Sequence, residues 1–240
     1  MLQYTIVKRD ERKFLALTGL TDKEFNALLP AFTKAYLQTT PQHKTRGGQK
    51  RTRRLGGGRR GQLSTLEQKL FFILVYQKTY PVQVVMGELF DMTQAAANQW
   101  IHRLLPVLRK ALTILGVKPE RDGRKFARTE RSHREPANYI IDGTERRRHR
   151  PQNAEKQVLF YSGKKKTHSD KNIVIANTRS KRIAYLGPTQ PGKTHDKKLA
   201  DEAGIIYAPQ MVLHKDTAFQ AYEPNVQQTH QPKKNRVART

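Results

Sequence analysis

Residues 139–143 read Tyr139-Ile140-Ile141-Asp142-Gly143, a short apolar strand that ends in an acid. Further along, Met211-Val212-Leu213 is a second such strand, followed by Asp216. Between them, residues 172–177 and 182–186 have strand character, with residues 178–181 as the turn. Residues 194–203 form a helix in this reading, with Thr194 as its cap and Asp196 in its first turn. Strands, then a helix, then a strand imply a mixed α/β sheet. Sites on open α/β sheets gather outside the carboxyl ends of strands. If the two acid-bearing strands are neighbours, Asp142 and Asp216 converge. Converging carboxylates suit a divalent cation, since Mg²⁺ takes oxygen ligands and keeps waters or phosphates for the rest. The other reading is local: each Asp caps a loop or pairs with nearby Arg146 or Lys215.

The N-terminal half has a different period. Residues 10–38 read as helical, and Thr21 and Glu24 have capping-box spacing. Phe25, Leu28, Leu29, Phe32 and Tyr36 then recur at helical spacing, with Pro30 expected to kink or split the helix. A second block runs over residues 63–115, where Ser64 and Glu67 repeat the capping spacing. Tyr80-Pro81 should end its first helix. Residues 82–90 read as a short helix, residues 91–93 as a tight turn, and Thr93 as the cap of a longer helix. Two helices joined by a three-residue turn match a helix-turn-helix, whose second helix reads the major groove. Gln94, Asn98 and Gln99 occupy its first turns, and Asn or Gln can pair bidentately with adenine. An ordinary helical hairpin with polar residues facing water has the same pattern.

Charge separates these blocks. The 240 residues carry 46 Lys+Arg against 20 Asp+Glu, a net charge of +26. Self-repulsion of this size calls for a polyanionic partner, and nucleic acid fits best because the basic residues spread along the whole chain. Residues 39–62 hold Arg51, Arg53 and Arg54 among eight basic residues, and no acid lies between Glu24 and Glu67. They read as a basic loop that contacts phosphates. Residues 117–136, rich in Lys and Arg with Pro119, Gly123 and Pro136, read as a basic linker. The absence of cysteine removes disulfides, Cys-based zinc sites and thiol catalysis. The longest apolar run, residues 70–76, is far short of the roughly 20 residues needed to span a bilayer, and no secretory signal is visible.

Several motifs, in order, resemble insertion-sequence transposases of the DDE superfamily. They are Ile141-Asp142-Gly143-Thr144-Glu145-Arg146, residues 161–168 (YSGKKKTH), residues 191–201 (PGKTHDKKLAD) and residues 214–222 (HKDTAFQAY). Residues 63–115 resemble the helix-turn-helix module that precedes the nuclease domain in that family. The resemblance implies an α+β protein. An N-terminal all-helical DNA-binding domain (10–116, basic loop 39–62) and the linker at 117–136 precede an incomplete RNase H-like mixed α/β domain at 137–240. It implies metal-dependent cleavage and transfer of DNA strands at transposon ends. Asp142 and Asp216 would be the first and second catalytic, metal-binding acids for Mg²⁺ or Mn²⁺. Lys164, Lys165, Lys166 and His168 would hold DNA phosphates near the metals.

The resemblance also calls for a third acid, a Glu on a helix well beyond the second Asp. The last acid here is Glu223, followed by Pro224, and residues 235–240 depart from the family pattern. The expectation is therefore a truncated or split-frame transposase, completed by a second polypeptide or a frameshifted extension. The alternative is a catalytically inactive relic that still binds terminal repeats. The expected partners are double-stranded DNA (transposon ends and target) and further copies of the chain. The expected setting is the cytoplasm, associated with the nucleoid of a bacterial host, with no membrane role.

Overall fold

In the computed structural model, residues 1–39, 49–50, 61–129 and 137–232 are described. Arg51, Arg53 and Arg54 lie outside them. The chain divides into two compact units, residues 1–117 and 118–240.

The first unit is helical: α1 (Tyr4–Val7), α2 (Glu11–Thr18), α3 (Asp22–Thr39), α4 (Leu66–Thr79), α5 (Gln83–Phe90) and α6 (Gln94–Ile114). Its organising element is α4, in which every residue from Gln68 to Val75 is buried. A helix that is apolar nearly all round belongs inside a core, and that is the use of the long apolar run. Around it, Phe14 stacks on Phe71 at 6.1 Å and Phe72 meets Phe90 edge-on at 4.8 Å. The Thr21–Glu24 capping box forms: the Glu24 carboxylate accepts from Thr21 N at 2.9 Å, and Thr21 Oγ1 accepts from Glu24 N at 3.3 Å. The bond from Thr21 N, and a second that Thr21 Oγ1 donates to the same carboxylate at 2.8 Å, hold the Glu24 carboxyl below its usual range.

Helix α3 runs through Pro30 unsplit, with one buried face of Phe25, Leu28, Ala31, Phe32 and Ala35 spanning it. One local expectation fails here. The cap of α4 is Thr65, not Ser64, and it accepts from Gln68 N at 3.1 Å. The one-residue shift turns Gln68 and Lys69 inward. Gln68 then ties down the N-terminus through Tyr4 N and Leu2 O, and Lys69 Nζ donates to the carbonyls of Leu63, Ser64 and Thr65.

The second unit is a mixed sheet. Its elements are α7 (Gly123–Thr129), β1 (Asn138–Arg147), α8 (Ala154–Phe160), β2 (Tyr161–Ser162), β3 (Thr167–Asn177), β4 (Ile183–Leu186), β5 (Gln190–Pro191), α9 (Asp196–Glu202), β6 (Val212–Lys215) and β7 (Gln228–His230). A 3₁₀ turn covers Thr217–Phe219. The strand order is β2-β3-β1-β6-β7, with β4 and β5 also on β3. Strands β1, β3 and β4 pair antiparallel, whereas β6 and β7 run parallel to β1. The architecture is thus α+β, a helical unit followed by a mixed α/β unit.

Strand β1 does not stop at Asp142. It continues to Arg147 because β3 is long enough to pair with it as far as Arg147↔Ser169. The stretch read as a linker contains α7, whose Phe126 is fully buried among Tyr139, Tyr185 and Tyr207. Glu120 also hydrogen-bonds through its backbone to Ala184 and Leu186. Phe126 and Ala127 therefore belong to the core of the second unit, while the basic residues around them stay exposed. Helix α9 starts at Asp196, with His195 and not Thr194 at the cap position. Thr194 instead offers its carbonyl to Lys171 Nζ at 3.0 Å.

A Cβ on Gly87 would lie 2.6 Å from the Met92 carbonyl oxygen, so the turn after α5 closes only over glycine. Gly87→Ala is expected to lower unfolding stability by about 1–3 kcal/mol, as overpacking does. Urea denaturation measures this, and an unchanged midpoint would refute it.

Candidate functional site

Strand β1 alternates strictly between its two faces. Tyr139 and Ile141 are buried on one, and Asn138, Ile140, Asp142, Thr144 and Arg146 lie exposed on the other. Strand β6 does the same, burying Leu213 and Lys215. The parallel pairing of β1 with β6 runs from Asn138↔Val212 to Ile141↔Lys215. Asp142 is the next residue of β1, and Asp216 is the first residue after β6, where it keeps an extended backbone (φ −83°, ψ −179°). The two acids therefore share the exposed face of adjacent strands, whose usual separation is about 4.8 Å. Asp142 Oδ1 accepts from Gly143 N and Asp216 Oδ1 from Ala218 N, each at 2.7 Å. The local reading is thus half right. Asp216 does cap a turn, but Arg146 donates to Asn172 and Lys215 to the Tyr222 carbonyl and Glu223, so neither base pairs with these acids.

Two exposed carboxylates side by side are hard oxygen donors, a set that suits Mg²⁺ or Mn²⁺ with water or phosphate completing the shell. Among the described residues, no three His, Asp or Glu side chains gather around one such position. Glu223 is engaged by Lys215 Nζ at 3.2 Å.

On the buried side of the sheet lies a cluster that sequence reasoning missed. Lys171 Nζ sits 3.2 Å from Glu145 and 3.1 Å from Asp196, with all three side chains at most 12% exposed. Ser169 donates to Glu145 at 2.9 Å. Burial raises the Glu145 carboxyl, but hydrogen bonds from Ser162, Ser169 and Lys171 outweigh it and hold the group below its usual range. A Cβ on Gly143 would lie 2.3 Å from Asp196 Oδ1, so α9 presses directly on the backbone beside Asp142. One signal was available: Glu145 shares the inward parity of Tyr139 and Ile141, where an uncompensated charge is costly.

In the first unit, α5 and α6 form the helix-turn-helix, and Thr93 caps α6 by accepting from Ala96 N at 3.2 Å. Asp91 takes a left-handed backbone (φ 53°) in the turn. Gln94 and Gln99 are exposed and Asn98 half-buried, while Ala97, Ile101, Leu104 and Leu108 face the core.

Residues 61–114 match the family described as the helix-turn-helix of DDE superfamily endonuclease, and residues 141–239 match DDE superfamily endonuclease itself. The chain belongs to the DDE superfamily of transposases. Both motif-bearing segments of this DDE chain lie within the matches, as do Asp142 and Asp216. The second match runs to residue 239. No curated protein and no solved structure matches the chain.

Lys164, Lys165 and Lys166 are exposed in the turn between β2 and β3, with Lys166 left-handed at φ 50°. His168, half-buried, meets Tyr161 edge-on at 5.6 Å. Asp142 pairs with Val174, seven residues along β3 from Thr167. At about 3.4 Å per residue the lysine turn begins roughly 24 Å along the sheet from Asp142, so the lysines do not stand beside the acids.

Lys171→Met should strand Glu145 and Asp196 without their cation and cost about 3–5 kcal/mol, measured by chemical denaturation. Glu145 is held below its unfolded value, so its contribution is complete above about pH 4.3 and is lost as pH falls through the folded value. Glu145→Gln should therefore flatten the acid limb of a stability-against-pH curve. An equally steep limb would disprove the assignment.

Proposed function

We propose that the chain is a DNA-recognising, acid-bearing transposase that cleaves and joins DNA strands with a divalent metal. The observation that carries this reading is the placement of Asp142 and Asp216 on one exposed face of a parallel strand pair, within a chain of this family. Asp142 and Asp216 would hold Mg²⁺ or Mn²⁺. When bound, such ions activate an attacking oxygen and stabilise a leaving one. The roles of the two carboxylates are to bind and position; neither needs to move a proton. Synapsis of two DNA ends would call for at least two copies of the chain.

Helix α6 would enter the major groove with Gln94, Asn98 and Gln99 toward base edges. Arg51, Arg53 and Arg54, with Lys164, Lys165, Lys166 and His168, would contact phosphates. Net charge supports this reading, since each neutralised phosphate releases counterions and ties affinity to salt.

Two experiments test the proposal. Nicking of a DNA duplex in Mn²⁺ should require both acids: Asp142→Asn and Asp216→Asn should each abolish it while DNA affinity persists. A chain that binds duplex but never nicks it would be a DNA-binding protein only, and nicking that survives either substitution would refute the role of these acids. Separately, Asn98→Ala should relax preference at one base position by about 1–3 kcal/mol in a binding-site selection. Equal weakening for every sequence would show that α6 touches only phosphates.

A further inference from the structure

The exposed face of β1 carries a fixed cation as well as the acid. Arg146 lies four residues past Asp142 on the same face, about 13 Å away at the rise of a strand. Its guanidinium donates to Asn172 Oδ1 at 2.7 Å, with Thr189 Oγ1 at 3.5 Å. Asn172 is itself buried, 3% exposed, and its amide nitrogen donates to the Gly187 carbonyl at 2.9 Å and Thr189 Oγ1 at 3.1 Å. Those two acceptors fix which end of the amide is oxygen, and so aim Oδ1 at the arginine.

The holder is neutral, and that decides the chemistry. Arg148, two residues on, is paired with Asp170 at 2.9 Å, which spends much of its charge. Asp170 is also the residue opposite Arg146 in the β1–β3 register, yet it binds Arg148. Arg146 is thus oriented by an amide that leaves its positive charge intact. A planar fork with an uncancelled charge, already immobilised, is suited to a phosphate. It also stands between the acids and the lysine turn, since β1 leads from Asp142 through Arg146 to Arg148, whose N–H bonds His168 O.

We propose that Arg146 is a phosphate-binding residue of the carboxylate face. It takes a backbone phosphate of the DNA strand a few nucleotides from the phosphodiester held at Asp142 and Asp216. The proposal rests on the reading of this face as the one that meets DNA. Asn172 is the positioning residue, acting through Arg146.

The test is duplex binding by the full chain, followed by fluorescence anisotropy over a salt series, with urea midpoints to confirm folding. Arg146→Gln should reduce the slope of log affinity against log salt by roughly 0.9, and Arg146→Lys, which keeps the charge, should leave it unchanged. Asn172→Asp should mimic Arg146→Gln by neutralising the arginine in place, and should add nothing when combined with Arg146→Gln. Where Asn172→Asp unfolds the chain, the Gln and Lys variants at position 146 decide alone. An unchanged slope for Arg146→Gln, when Lys164→Gln and Lys165→Gln do lower it, would reduce Arg146 to a strut between β1 and β3. Wild-type binding that ignores salt would instead overturn the reading of the chain as a DNA-binding protein.

Discussion

The ammonium of Lys171 is the joint on which the second unit turns. It lies on β3, binds Glu145 of β1 and Asp196 of α9, and takes the Thr194 carbonyl as well. One buried cation thereby fastens the longest strand pair to the helix that covers it. Removing charges from water is expensive, so such a cluster is favourable only if every member is matched. The match also sets position. Asp196 rests against Gly143, and Gly143 leaves no room for the sheet to slide against α9 beside Asp142. What happens on the buried face therefore fixes where the exposed acid stands.

The first unit is governed by apolar contact instead. Helix α4 is enclosed on all sides, and the aromatic rings of α2, α3 and α5 close around it. Its only buried charge, Lys69, is satisfied by three carbonyls and lies 5.6 Å from the rings of Tyr36 and Trp100. Burial, and then Arg103, lower the pKa of Lys69, and Glu67 opposes them. The outward face of α6 is thus carried on a core that owes little to polar pairing.

Much of this was legible in the sequence because periodicity reports burial. The alternation around Ile141 and the helical spacing of α3 and α6 are direct traces of which side faces a core. The helix-turn-helix was readable because its turn is short and Thr93 is a good cap. What was not legible depends on partners remote in sequence. The extension of β1 past Asp142 needs β3 opposite it. The role of Phe126 in a basic stretch needs three tyrosines from elsewhere. The cap of α4 sits one residue on, at Thr65, which goes with Gln68 being held by Tyr4 N and Leu2 O, more than sixty residues away. Helix α8 was missed for a different reason: none of its residues is buried, so its sequence carries no amphipathic period. For the acids, the sequence indicated two strand-borne carboxylates, but only the parallel register brings them to adjacent strands.

That register has a consequence for how the protein assembles. Asp142 and Asp216 are about seventy residues apart in the chain, and the β1–β6 ladder that brings them together is among the most non-local pairings in the molecule. Closing such a loop costs chain entropy before any contact offsets it, so parallel long-range pairing is slow, whereas helical hairpins close early. During synthesis the helical unit also emerges first. The helix-turn-helix unit is therefore expected to be folded before β1 and β6 have paired and brought Asp142 and Asp216 onto adjacent strands.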